Sequence, residues 1–200
     1  ALTEFAGEHP ATDVQVLRTI IRNARKEIAG AHPPRAQREL FRVVREALAE
    51  ASPLADAVFA LQGLGTTPIL LSGSAAQKER WAGPISEGRV MTAFAMTEPE
   101  AGSDVASIAT TASRDGSGWV LNGAKTLISN AGIADLYTVF ATSDRAKGHK
   151  GINCFLVPAD SPGLRFVGPQ ILSAPHPLGE IAFEDCRVPA EALLGEEGRG

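Results

Sequence analysis

Phe94-Ala-Met-Thr-Glu-Pro-Glu-Ala-Gly-Ser-Asp104 is a short apolar run that passes directly into a polar, glycine-containing turn. Such a junction sets backbone N–H groups and hydroxyls at the end of a sheet, where an anionic group can be held. Pro99 fixes one φ and Gly102 permits a positive one, so the turn can be both stiff and tightly wound. Thr97 and Ser103 offer hydroxyls, and the amides around Gly102 a small anion-binding concavity. The same residue types also describe a strand end followed by a plain surface loop. Residue chemistry alone leaves both readings open.

Outward from this segment the chain changes character near Gly88. Before it the pattern is helical. Thr12 and Gln15 form a capping box, with Leu17, Ile20, Ala24 and Ile28 following at helix spacing. Gly30 and the Pro33-Pro34 pair end that helix. A second helix is predicted from Arg35 to Ala51, with Leu40, Val44 and Leu48 on one face. Ser52-Pro53 opens a third, and Ser74 with Gln77 marks another start before Gln77 to Ala82. Gly63-Leu-Gly65 reads as a helix end rather than a nucleotide-binding glycine motif, because it follows a helix instead of a strand.

After Gly88, short runs rich in β-formers predict strands at 89–96, 107–114, 119–121, 125–129, 137–142, 152–157 and 180–183. Asp115-Gly-Ser-Gly118 and Asn122-Gly123 are hairpin-type turn sequences. Asp144 to Lys150 reads as a polar, basic loop. A helical block followed by an antiparallel block makes the fold class α+β.

The 200 residues can bury a real core, and a formal net charge of -4 argues against nucleic acid as a main partner. No apolar run approaches the roughly 20 residues of a membrane helix, and the start does not resemble a signal peptide. Cys154 and Cys186 read as buried free thiols in a reducing compartment. The scattered His9, His32, His149 and His176 form no metal cluster.

The opening segment resembles the first signature of the acyl-CoA dehydrogenase family. Trp119-Val-Leu-Asn-Gly-Ala-Lys-Thr-Leu-Ile-Ser-Asn130, Gly151-Ile-Asn-Cys-Phe-Leu-Val157 and Ile181-Ala-Phe-Glu-Asp-Cys-Arg-Val-Pro189 support it in the expected order. The resemblance is firm from about Leu48 to Gly200 and weak before that. It implies a helical N-terminal domain (1–88), an antiparallel, β-barrel-like middle domain that binds FAD (89–194), and the start of a linker (195–200). The family's third domain, a C-terminal helical bundle, is expected to be absent. The N-terminal part looks short for the family, without its usual glycine-rich connector.

What the resemblance implies for the site can be carried over residue by residue. Phe94, Ala95, Met96, Thr97, Gly102 and Ser103 line the flavin. Thr97 meets the pyrimidine edge of the isoalloxazine, and Gly102 and Ser103 meet the pyrophosphate. Ser103 also reaches acyl-CoA. Leu127, Ile128 and Ser129 form the second flavin segment, where many relatives have Trp-Ile-Thr. Ser129 keeps the hydroxyl aimed at N5, whereas Leu127 lacks an aromatic face, a stacking contribution of about 0.5–1.5 kcal/mol. His149 and Lys150, beside Lys147, lie near the CoA nucleotide; the competing reading is a solvated loop. Glu98, Glu100 and Asp104 are poor general-base candidates, and Asp104 suits a turn cap.

The implied reaction is FAD-dependent α,β-dehydrogenation of an acyl-CoA thioester, with an electron-transfer flavoprotein as acceptor. A glutamate from the C-terminal domain supplies the base, so no catalytic residue is expected in this chain, which should be inactive alone. Without the bundle, apolar surface should be exposed and the protein sticky or marginal. The full-length form is expected to be a homo-oligomer without membrane insertion, cytoplasmic or in the mitochondrial matrix. Two other readings stay open: a flavin oxidase or monooxygenase on the same scaffold, and a non-catalytic remnant or subunit that binds flavin or acyl-CoA.

Overall fold

The computed structural model describes residues 34–173 and 176–200. The predicted helix through Leu17, Ile20, Ala24 and Ile28, with its Thr12/Gln15 box and its end at Gly30, lies outside the described residues. Among the described residues, three helices come first: α1 (Pro34–Ala51), α2 (Pro53–Ser72) and α3 (Ala75–Ser86). Ser52 caps α2, its hydroxyl accepting from the Ala55 N–H at 3.3 Å, with Pro53 in the first turn. Arg45 grips Asp56 with two hydrogen bonds of 2.8 and 2.7 Å, and Phe41 and Phe59 stack with centroids 5.2 Å apart, so α1 folds back on α2. The predicted Ser74/Gln77 box is present at α3. The Gln77 amide also donates to the carbonyls of Glu191 and Leu193, tying that helix start to the far end of the chain.

α2 does not end at Gly63–Gly65 as the sequence suggests. It runs on to Ser72, through Pro68. The reason is a close approach to the sheet. A Cβ on Gly65 would stand 2.5 Å from Thr92 Oγ1, and the Gly65 carbonyl accepts from the Thr138 hydroxyl at 2.9 Å. The glycine lets the helix touch the sheet rather than stopping it. α2 is also long and apolar enough to cross a membrane by length and composition, which corrects the reading that no apolar run approaches that length. Here one face of α2, including Phe59, Gln62 and Ile69, is buried.

Eight strands follow: β1 (Thr92–Ala95), β2 (Thr111–Asp115), β3 (Gly118–Ser129), β4 (Leu136–Thr142), β5 (Ile152–Pro158), β6 (Leu164–Pro169), β7 (Leu178–Val188) and β8 (Leu193–Leu194). Their order is an open path, β6-β7-β3-β2-β4-β5-β8, with β1 on β4. The fold is α+β, yet the sheet is mixed rather than purely antiparallel: β1 pairs parallel to β4 over four residues, and β2 meets β4 parallel at Thr111–Thr142.

The Asp115–Gly118 turn is where the sequence puts it, joining β2 to β3. Asn122-Gly123 is not a turn. β7 pairs with both flanking stretches, so they form one strand with a bulge between Leu121 and Gly123. Gly123 has φ +145, and a Cβ there would meet Thr110 Oγ1 at 2.6 Å. β6 and β8 were not foreseen, because one is a mostly exposed edge containing Gly168 and Pro169 and the other has two residues.

The sheet buries both faces of its centre. Along β5, Phe155 and Val157 enter one apolar cluster with Trp119 and Ile181, whereas Cys154 and Leu156 enter another with Ile69 and Phe140. Both cysteines are free and buried, and burial pushes their thiols up to about 12 for Cys154 and about 11 for Cys186. They are packing residues.

Candidate functional site

β1 runs out of the core into a tight turn closed by reciprocal Glu98–Ala101 backbone bonds, at 2.9 Å from the Glu98 N–H and 3.2 Å from the Ala101 N–H. Pro99 and Glu100 project from that turn into solvent. Glu98 itself turns inward and is buried. Its carboxylate accepts from the Ala109 N–H (2.5 Å), the Thr110 N–H (3.0 Å) and Lys125 Nζ (2.7 Å). Burial works against its charge, but the hydrogen bonds from Lys125, Thr110 and Ala109 outweigh that and hold the carboxyl below its ordinary range. A carboxylate so enclosed is no general base. Asp104 stands just before the short 3₁₀ turn Val105–Ser107 and accepts from the Ser107 hydroxyl at 2.5 Å.

Beyond the turn, Gly102 and Ser103 are exposed. Their two amides have no hydrogen-bond partner among the described residues, and neither does the half-buried Thr97 hydroxyl. The segment therefore presents unpaired donors on a rigid base.

The second segment lies beside the first. The Thr126 N–H donates to the Thr97 carbonyl at 3.0 Å, and Lys125 Nζ to the Met96 carbonyl at 2.9 Å. A bulge then breaks the β3–β7 register between Lys125 and Ile128. At the bulge Leu127 takes φ +55, a left-handed conformation that costs a branched residue about 1–2 kcal/mol, and its side chain is exposed. Gln170 holds this geometry, accepting from the Leu127 N–H at 2.9 Å while donating to Thr126 Oγ1 and Glu180. The Ser129 hydroxyl is 2.8 Å from His176 Nε2, a ring whose pKa burial lowers. Ala95 and Ile128 are wholly buried, which leaves only their backbone to a ligand.

Of the basic loop, His149 and Lys150 face a cleft of about 620 Å³ shared with Met96, Val105, Phe140 and Arg199. Lys147 turns to Asp144 at 3.4 Å instead. The loop is a kinked 3₁₀ turn, Arg145–Gly151, with positive φ at Gly148. Lys125, Gln170 and His176 went unread as site residues in the sequence. Gln170 and His176 carry no local signal, but a lone lysine inside a strand-like run is a detectable oddity. No group of three or more His, Cys, Asp or Glu suited to a metal occurs among the described residues.

Residues 93–186 match the acyl-CoA dehydrogenase middle domain. That part of the chain belongs to the acyl-CoA dehydrogenase family. It is 44% identical over 139 residues to the short-chain specific acyl-CoA dehydrogenase, mitochondrial, of Mus musculus, matching 66% of this chain and 33% of that protein. The butyryl-CoA dehydrogenase structure from Megasphaera elsdenii superposes with a TM-score of 0.83 at 32% identity, over 93% of this chain and 50% of that one. A chain in the structure of the electron transferring flavoprotein of Acidaminococcus fermentans gives a TM-score of 0.67 at 29% identity, over 92% of this chain and 59% of that one. The chain thus spans about a third of the length of the mouse relative. Residues 1–45 match a different model, the dual-action ribosomal maturation protein DarP. That agrees with a family resemblance that fades before Leu48.

Acyl-CoA dehydrogenases of this group are FAD-dependent flavoproteins. The residues present fit such a cofactor on this structure's own terms. Two unpaired amides at Gly102 and Ser103 suit an anionic pyrophosphate, and the unpaired Thr97 hydroxyl suits a ring edge rich in acceptors and donors.

Proposed function

We propose that this chain supplies the flavin wall and part of the CoA site of an FAD-dependent acyl-CoA dehydrogenase, without the catalytic base. The helical part (1–88), the middle β domain (89–194) and a connector (195–200) form the division of labour. The observation that carries the reading is the juxtaposition of Thr97 and Leu127–Ser129 through the Thr126–Thr97 bond, beside the free Gly102 and Ser103 amides. Thr97 orients the pyrimidine edge, and Gly102 and Ser103 bind the pyrophosphate by backbone donation. Ser129 would offer its hydroxyl to the flavin ring, with His176 2.8 Å away to hold that rotamer. His149 and Lys150 bring positive charge to the CoA phosphates at the cleft. When bound, the flavin would accept the substrate's β-hydrogen as hydride, while a base outside this chain would take the α-proton and the freed electron pair would form the Cα–Cβ double bond. The exposed Leu127 leaves one ring face without aromatic cover.

An electron-transfer flavoprotein as electron acceptor, a homo-oligomeric full-length form and a matrix or cytoplasmic location complete the proposal. The likeness to a chain in an electron transferring flavoprotein structure supports the first, and the likeness to a mitochondrial relative the last.

Two measurements on the purified chain test the reading. FAD added to it should lose fluorescence and acquire a resolved visible spectrum, with 1:1 saturation; free-flavin behaviour throughout would refute the flavin wall. Steady-state dye reduction with short-chain acyl-CoA should stay at background, since a positioned base contributes about 10²–10⁴ in rate. Turnover typical of a flavin dehydrogenase would show that the chain contains its own base.

A further inference from the structure

We propose that Lys125 and Glu98 form a positioning pair, a buried ion pair that sets where Thr97 stands against the flavin. This rests on the flavin reading above. The Lys125 side chain is 0% exposed and that of Glu98 5%. Nζ bridges the Met96 carbonyl (2.9 Å) and the Glu98 carboxylate (2.7 Å), the two residues on either side of Thr97. The next residue of β3, Thr126, donates to the Thr97 carbonyl at 3.0 Å. Glu98 in turn gathers the Ala109 and Thr110 amides. Three stretches, 96–98, 109–110 and 125–126, thus meet at one ion pair, and Thr97 is held on both sides and at its own carbonyl. Its hydroxyl has no partner among the described residues.

Stability does not explain such a pair. Replacing a buried ion pair with apolar residues of similar volume is often neutral or stabilising, because desolvation offsets the attraction. Burial lowers the Lys125 ammonium from its ordinary pKa, with Glu98 partly restoring it. An apolar pair would fill the space but would not fix the direction of the Met96 carbonyl or gather two amides. What the charges add is direction, and what they direct is the segment carrying Thr97.

The test uses the full chain and FAD. The double variant K125M/E98Q keeps side-chain volume and the neutral sum of the pair, so a change in the bound flavin reports geometry rather than charge. It should retain the far-UV spectrum and a cooperative melt, bind FAD at least about tenfold more weakly, and give a shifted potential and visible band for the flavin that still binds. If that variant fails to melt cooperatively, Lys125→Met alone, which leaves the Glu98 carboxylate its Ala109 and Thr110 donors but releases the Met96 carbonyl, should weaken FAD by at least about threefold. A folded variant with unchanged Kd, potential and spectrum overturns the positioning role while leaving the flavin reading intact. A wild-type chain that binds no FAD overturns the flavin reading first, and the positioning role with it.

Discussion

Around Phe155 the sheet is closed on every side, whereas around Leu71 the helical layer stands open. Phe155 is 0% exposed and meets Trp119 edge-on at 5.3 Å, inside a cluster drawn from most of the strands. Leu71 is 77% exposed near the end of α2, next to the half-exposed Leu70. The α1–α2 contact buries only a small cluster built on Leu48, Leu54 and Phe59. The sheet also encloses an ion pair, Lys125 with Glu98, whereas the helical layer's Arg45–Asp56 pair is partly exposed. Stability and site geometry therefore reside in the same layer. The helices add a dock for β1 and an apolar outer face.

The largest expected effect sharpens that contrast. Phe155→Ala should cost about 3–5 kcal/mol, because a well-packed centre cannot collapse onto the space left behind. Phe41→Ala, at a ring 37% exposed on α1, should cost less than half as much. Urea midpoints at constant m-value measure both. Equal losses would mean the helical layer is as closed as the sheet.

The seam between the layers comes next. Gly65→Ala drives a methyl into Thr92 and should cost about 1–3 kcal/mol. Gly63→Ala, two residues earlier in the same helix, meets nothing within 4 Å and should stabilise by about 0.4–1 kcal/mol. Opposite signs from neighbouring glycines would establish that α2 touches β1 at Gly65. Two gains would mean that the helix stands off the sheet.

That pair of glycines also shows where the sequence stops being readable. Local chemistry announced what local chemistry controls: the Ser52 cap, the Ser74/Gln77 box and the Asp115–Gly118 turn. It misread Gly63–Gly65 and Asn122-Gly123 as breaks, because Gly65 and Gly123 answer to threonines elsewhere in the chain, Thr92 and Thr110, that no local window contains. The site follows the same rule. The Thr97 and Gly102–Ser103 turn was legible as donors at a strand end. Lys125 was not, since its burial depends on a carboxylate 27 residues away. Gln170 reaches Leu127 from 43 residues away, and His176 reaches Ser129 from 47. Sequence showed which groups could act, and tertiary contact decided which were free to do so.

The smallest effect probes the open side. Leu71→Lys should leave folding stability within about 0.5 kcal/mol, because a side chain already 77% exposed transfers little surface on folding. A lysine near the C-terminal end of α2 also meets the favourable end of the helix dipole, a gain of about 0.3–1 kcal/mol at most. Self-association should fall, seen as a lower weight-average mass in sedimentation at matched concentration, since an exposed apolar patch has lost a large member. The two readouts separate the cases. Unchanged stability with less association means the helical face is bare in the isolated chain. A loss well above 1 kcal/mol would mean that Leu71 is already covered in solution, and the contrast between a closed sheet and an open helical layer would fail at its most exposed residue.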